Sequence, residues 1–195
     1  ESMLITPADV QRILDAMDKE ITVEQIRTAR RRLGEHGVRA CFFIQFGYPG
    51  ETWADIEATV ALVAELLPDD IGVSVSYPLP GTRCRAMVRR ARNAPASPAA
   101  RRRHTHQEMV KLELDDQANW ATSGDLTMMF EGTYPTDVYR ELHLSVHDLL
   151  DLRRREAGLS RARHTMVPDV AMHEQHARVA TRWAALRARE QSVRN

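Results

Sequence analysis

The sequence predicts an α/β fold on three observations. Two short apolar runs each end in Gly/Pro turn residues, a helical pattern separates them, and the C-terminal region is patterned for helices. The first run is Cys41-Phe42-Phe43-Ile44-Gln45-Phe46, followed by Gly47-Tyr48-Pro49-Gly50-Glu51-Thr52. The second is Ile71-Gly72-Val73-Ser74-Val75-Ser76-Tyr77, followed by Pro78-Leu79-Pro80-Gly81-Thr82. An apolar run stopped abruptly by Gly and Pro reads as a strand delivered into a loop. Between the two, Trp53, Ile56, Val60, Val63 and Leu67 fall on one helical face. Thr52 and Asp55 supply an N-cap and a first-turn carboxylate, and Pro68 blocks extension. Strand, helix and strand make a βαβ unit, so the strands should be parallel and the crossover right-handed.

The remaining elements follow the same signals in chain order. Thr6-Pro7-Ala8-Asp9 starts a helix whose apolar stripe is Val10, Ile13, Leu14 and Met17. A second helix begins at Thr22, with Gln25 at capping-box spacing, and ends near Gly34 or Gly37. Val38 to Phe46 is nearly apolar throughout, as in a strand covered on both faces. In the second strand Ile71, Val73, Val75 and Tyr77 alternate with Gly72, Ser74 and Ser76. The small side leaves room for a lumen; a shallow bulge or tight sheet packing would give the same pattern. Cys84 to Arg92 reads as a short basic helix, and Asn93 to Ala100, with two prolines, as a linker. Thr105 to Leu114 is helical in pattern, and Leu126 to Phe130 is a short apolar run. Pro135 or Thr136 opens a helix through Val138, Leu142, Val146, Leu149 and Leu150. After Ser160 the chain is rich in Ala and Arg, a pattern for a solvated helix from Val170 to Arg189 or for partial disorder.

Composition narrows the function classes. The chain has 195 residues, and its 27 basic and 27 acidic residues give no net push toward nucleic acid or membrane. Three arginine triplets, at 30–32, 101–103 and 153–155, read as solvated helix faces or, alternatively, as phosphate contacts. No apolar run is long enough for a transmembrane helix, and no signal peptide opens the chain. Two cysteines imply no disulfide framework and fit a reducing cytoplasm. His143 and His147 lie four apart on a helix without a convincing third ligand, and His104, His106, His173 and His176 sit in polar stretches. No Gly-x-Ser-x-Gly, P-loop or dinucleotide fingerprint is present.

Gly47-Tyr48-Pro49-Gly50-Glu51-Thr52, followed by Pro78-Leu79-Pro80-Gly81-Thr82, resembles the fifth and sixth strand ends of radical S-adenosylmethionine (SAM) enzymes. The likeness is to the group that carries a cobalamin-binding domain, and the radical tRNA methylthiotransferases share similar phrases. Gln11-Arg12-Ile13-Leu14-Asp15-Ala16-Met17-Asp18-Lys19 resembles that family's segment after its fourth strand. The resemblance implies a partial parallel (β/α) barrel, the C-terminal half of a TIM-like radical SAM barrel, followed by a mostly helical region. The implied organisation is half-barrel over 1–92, linker over 93–107, helical region over 108–159 and tail over 160–195. The family's defining Cys-x3-Cys-x2-Cys loop, which holds a 4Fe-4S cluster, is absent. Cys41 and Cys84 cannot supply three thiolates and read as inert thiols. Cluster and cobalamin are therefore expected only from a missing N-terminal half or partner subunit.

For this chain the resemblance implies S-adenosylmethionine binding. Glu1-Ser2 corresponds to the family's Glu-Ser-Gly-Ser strand end, which meets the ribose or amino acid part of the cofactor. Lys19 corresponds to a basic position that pairs with the cofactor carboxylate. From the residues themselves, Phe43 and Gln45 point the same way by the two-residue period, and Gln45 sits at the carboxyl end where barrel enzymes bind ligands. Gly47 allows close backbone approach to an adenine ring, and Tyr77 ends the second strand beside it. Glu51 is expected to order its own turn. The expected function is a wall of the adenosine and substrate cavity, with methyl transfer or related radical chemistry on a small molecule in the complete enzyme. The alternatives are part of a radical tRNA-modifying enzyme, or a non-catalytic remnant acting as an interaction module. Unpaired strand edges predict self-association or union with the missing half.

Overall fold

The computed structural model describes residues 7–76, 81–83, 85–87, 90, 134–159 and 169–194. The expectations for Glu1, Ser2, Tyr77, Cys84, the linker, the helix from Thr105 and the run at Leu126 to Phe130 lie outside the described residues. The elements in chain order are α1 (Pro7–Ala16), α2 (Val23–Glu35), β1 (Cys41–Phe46), α3 (Trp53–Leu66), β2 (Asp70–Val75), α4 (Thr136–Glu156) and α5 (Asp169–Arg194). The fold is α/β, mostly helical, with one two-stranded parallel sheet among the described residues. Cys41 pairs with Asp70 and Phe46 with Val75 at the two ends of the register.

The capping box expected at Thr22 forms, and the N-cap expected at Thr52 proves to be a second one. Thr22 accepts from the Gln25 amide while the Gln25 side chain accepts from the Thr22 amide. Thr52 and Asp55 do the same at the start of α3, so each helix satisfies two otherwise orphaned donors at its first turn. The end of α3 is less ordinary. Leu67 takes a left-handed conformation (φ 44°), which a leucine adopts only where its surroundings hold it there. Two arginines do so. Arg30 donates to the carbonyls of Leu66 and Leu67, and Arg154 to that of Pro68. Asp69 then accepts from the Ala40 amide at 2.9 Å and donates its own amide to the Ala40 carbonyl at 2.8 Å, which locks β2 beside β1. That amide first, and then Arg30, Arg154 and Arg39, holds the Asp69 carboxyl below its ordinary range.

Helix α3 is the central element and is buried on two sides. Trp53, Ile56, Val60 and Val63 join Ile44, Phe46 and Ile71 of the sheet and Val138, Leu142, Val146 and Leu150 of α4 in the main core. Ala58 and Leu62, on the other side, pack with Val10 and Val23 of α1 and α2. At one end Tyr134 stacks edge-to-face on Trp53 and Tyr139, with ring centroids 5.7 and 6.2 Å away.

The tail also departs from a purely solvated helix. α5 docks on the core through Val179, Leu186 and Trp183. Its arginines anchor it: Arg182 to Asp148 at 2.6 Å, Arg187 to Glu57 at 2.8 Å and Arg189 to Asp137 at 3.3 Å. No helix among the described residues is long and apolar enough to cross a membrane.

The near-continuous apolar run of β1 predicted cover on both faces, and here the structure differs. Ile44 and Phe46 are buried, whereas Phe43 is 90% exposed. All the described helices that pack on the sheet core do so from the Ile44 and Phe46 side, so the Phe43 side has no layer over it among the described residues.

Candidate functional site

The uncovered face divides into two parts along the strands. Near the amino end, Phe43 lies across Gly72, its partner in register. A Cβ at Gly72 would stand 3.0 Å from the Phe43 ring. Tight packing therefore accounts for Gly72, and the room that the small side chains promised lies further on, at Ser74 and Ser76. There a cleft of about 420 Å³ opens at the carboxyl end of both strands. Its lining includes Met17, Lys19, Gln45, Tyr48, Ser74, Ser76 and Arg83.

Each wall is placed by a local device. α1 ends with the Lys19 amide donating to the Leu14 carbonyl at 3.1 Å and the Asp18 amide to that of Asp15 at 3.0 Å. This is the hydrogen-bond pair that usually closes over a left-handed glycine, as it does in α2 over Gly37 (φ 67°). Here the left-handed residue is Asp18 (φ 60°), and the reversal carries Lys19 into the cleft. Asp18 meets Arg83 at 3.2 Å, but both are exposed, so the pair contributes little. Replacing Asp18→Gly should accordingly raise stability by about 0.5–1 kcal/mol. A urea-denaturation midpoint that falls instead would show that the Asp18 side chain outweighs its backbone strain.

Tyr48 forms the rim. Its hydroxyl donates to the Ala16 carbonyl at 2.8 Å and so ties the turn after β1 to the end of α1. That turn starts at Gly47 (φ 75°), a conformation that favours glycine. The Gly47 amide donates at 2.6 Å to the carboxyl of Glu51, which is only 2% exposed. Burial pushes the Glu51 carboxyl up to about 8, against the Gly47 amide, which acts to lower it; Asp55 raises it further and Arg12 lowers it. Arg12 pairs with the buried Asp55 and donates to the Gly50 carbonyl at 3.2 Å. On the floor, Ser76 is 2% exposed, and its hydroxyl has no hydrogen-bond partner among the described residues. A buried hydroxyl left without a partner marks a place where a ligand or a water completes the bonding.

Of the residues singled out in the sequence, Lys19 and Gln45 line the cleft. Phe43 lines, with Lys19 and Gln45, an adjoining apolar groove of about 690 Å³ between β1, α1 and α2. Gly47 holds the turn through its amide, and a Val there would be strained by the positive φ. Sequence reasoning missed Tyr48 and Arg83 as walls and Arg12 as the partner of Asp55. Only long-range folding brings these residues in, and no local spacing signals it. The His143 and His147 rings are tilted at 45° with centroids 4.8 Å apart, and burial, then His143, lowers the His147 pKa. Among the described residues no group of three His, Cys, Asp or Glu is placed to hold a metal ion. Cys41 is exposed at the amino end of β1, the end opposite the cleft.

Comparison with known protein families and with curated proteins finds no match for this chain.

Proposed function

We propose that this chain forms a ligand-binding wall at the carboxyl ends of two parallel strands, within a partial (β/α) barrel of a radical SAM enzyme. The observation that carries it is the convergence on one cleft of Lys19, Gln45, Ser74 and the Ser76 hydroxyl, which has no partner among the described residues. The donor set suits S-adenosylmethionine. Lys19 offers a charge to its carboxylate, while Gln45 and the serines offer donors and acceptors to ribose and adenine edges. When bound, that cofactor supplies the methyl or radical chemistry of the complete enzyme. The residues of this chain bind it, orient it and exclude water behind the Tyr48 rim. The chain's two cysteines cannot supply the three thiolates of a cluster, and Cys41 stands at the end of its strand opposite the cleft. The thiolates would come from a missing N-terminal half or a partner subunit, as would any cobalamin site. The uncovered Phe43 face is what such a partner would cover.

Against the nucleic-acid reading, Arg30 and Arg154, one from each of two arginine triplets, are engaged with carbonyls and Asp69 inside the fold.

The test is Ser76→Ala with calorimetric titration of S-adenosylmethionine. Removing a buried hydroxyl that has no partner among the described residues should stabilise the free protein by about 1–2 kcal/mol while weakening the ligand about five- to tenfold. Lys19→Met should weaken it by a similar factor. A wild-type chain with no measurable affinity, or a Ser76→Ala variant with full affinity, would sink the assignment.

A further inference from the structure

We infer that the free edge of β1 and the neighbouring flanks of α1 and α2 form a strand-binding groove, which takes one extended apolar peptide segment with acidic residues at its ends. The backbone provides the edge. In a parallel ladder alternate residues of a strand bond to one neighbour, and the residues between them face the other way. The carbonyls of Ala40 and Phe46 accept from the Asp69 and Ser76 amides on the β2 side. Cys41, Phe43 and Gln45 therefore direct their N–H and C=O groups to the opposite edge, where no described strand pairs with them. Such an edge is a template for a further strand.

The helices provide the wall. α3 covers the sheet from the Ile44 side, with α4 packed on it and on β2, and on its far flank it carries Val10 of α1 and Val23 of α2. The helical layer thus reaches one element beyond β1. The groove of about 690 Å³ lies under that overhang, where Ile13 and Met17 of α1 and Ile26 and Leu33 of α2 line it together with the consecutive residues Cys41 to Gln45. A groove over one face of a strand would meet alternate residues only, so this one runs along the edge. Ile21, Leu33 and Phe43, large apolar side chains left exposed, all line it. Lys19 stands at the end shared with the cleft and Arg39 at the end where β1 begins, and no Asp or Glu lines it among the described residues. Apolar walls with a cation at each end suit a short strand of β-branched residues flanked by carboxylates.

A second copy of the chain does not suit the groove. Two β1 edges joined antiparallel about a two-fold axis would bring both helical layers to the same side of the sheet, where the α1 and α2 overhangs of the two copies would collide. The occupant is a single strand from a partner polypeptide, and its binding depends on no ligand in the cleft.

Amide hydrogen exchange followed by NMR tests the groove. In the free chain the Phe42, Ile44 and Phe46 amides, which face β2, should exchange at least about a hundredfold more slowly than those of Phe43 and Gln45. The peptide Glu-Val-Thr-Val-Thr-Val-Glu should slow Phe43 and Gln45 by about tenfold or more. Lysine in place of both glutamates should weaken the peptide by about tenfold, and Leu33→Asp, a charge on the groove wall at an exposed position, by a similar factor. The two peptides compared on the wild-type chain decide the matter should that variant fail to fold. Phe43 and Gln45 amides already protected in the free chain would show that another part of the chain fills the groove, and protection that grows with protein concentration would put a second copy there; either overturns the proposal. So would open amides that the peptide leaves unprotected at millimolar concentration, equal protection by both peptides, or undiminished binding to Leu33→Asp.

Discussion

Between pH 5 and pH 9 the wild-type protein should lose about 4–5 kcal/mol of stability relative to Glu51→Gln. The sign follows from which state holds the proton. An ordinary glutamate titrates at 4.5, whereas burial raises Glu51 in the fold to about 8. Below 4.5 both states are protonated and the carboxyl contributes its full stability. Between those two values the unfolded chain releases the proton and the folded one keeps it, so stability declines as pH rises. Above about 8 both are ionised and the loss is complete. At 1.36 kcal/mol per pH unit the window amounts to about 5 kcal/mol. His176, raised by the Met172 carbonyl and then by Glu156, declines in the same direction, but it is common to both proteins and cancels in the difference. Asp69 and Glu65 are lowered, so their contributions are lost only in acid. Urea midpoints of the two proteins at unit steps of pH measure the difference directly. Parallel curves would mean that water reaches Glu51 in the folded protein.

How much of this was legible in the sequence depends on how local each signal is. The caps of α2 and α3 were readable because Thr22 with Gln25, and Thr52 with Asp55, close rings three residues wide. The parallel pairing was readable because a strand, a helix and a strand leave the chain few ways to return. What escaped was set across the fold. Ile44 and Phe43 are equally apolar on paper, yet the position of α4, coming from a helix some ninety residues later in the chain, buries one and leaves the other open. α5 read as solvated because its mean hydropathy is low. It docks because Leu186 and Val179 need only a narrow seam once Arg182, Arg187 and Arg189 find carboxylates on α4 and α3.

The candidate site divides in the same way. Gln45, Ser74 and Ser76 follow from the two-residue period of parallel strands, and Lys19 from the resemblance in the segment that leads to it. Glu51 was legible as a turn-ordering residue but not as a buried acid, because its environment depends on Arg12 and Asp55. Arg12 reaches α3 from 43 positions away in sequence, and no pattern in either helix announces the pair.

Two phenylalanines in β1, three residues apart, should respond in opposite ways to the same change. Phe46 is 1% exposed and packs in the core shared by the sheet, α3 and α4. Phe46→Ala removes a large buried ring that neighbours on three elements cannot collapse around, and the expected loss is about 3–5 kcal/mol. Phe43, at 90% exposure, has little transfer free energy to lose, so Phe43→Ala should fall within about 0.5 kcal/mol of wild type in the isolated chain. A covered Phe43 would behave otherwise. If a further segment or subunit closes the open face, as the barrel reading requires, Phe43→Ala in that assembly should weaken association by about 1–3 kcal/mol while leaving the stability of the chain alone unchanged. Chemical denaturation of both variants measures the first pair of values, and sedimentation of wild type against Phe43→Ala measures the second. A Phe43→Ala variant that unfolds as readily as Phe46→Ala would place a second packing layer over the sheet within this chain, and the Phe43 face would then be no docking surface at all.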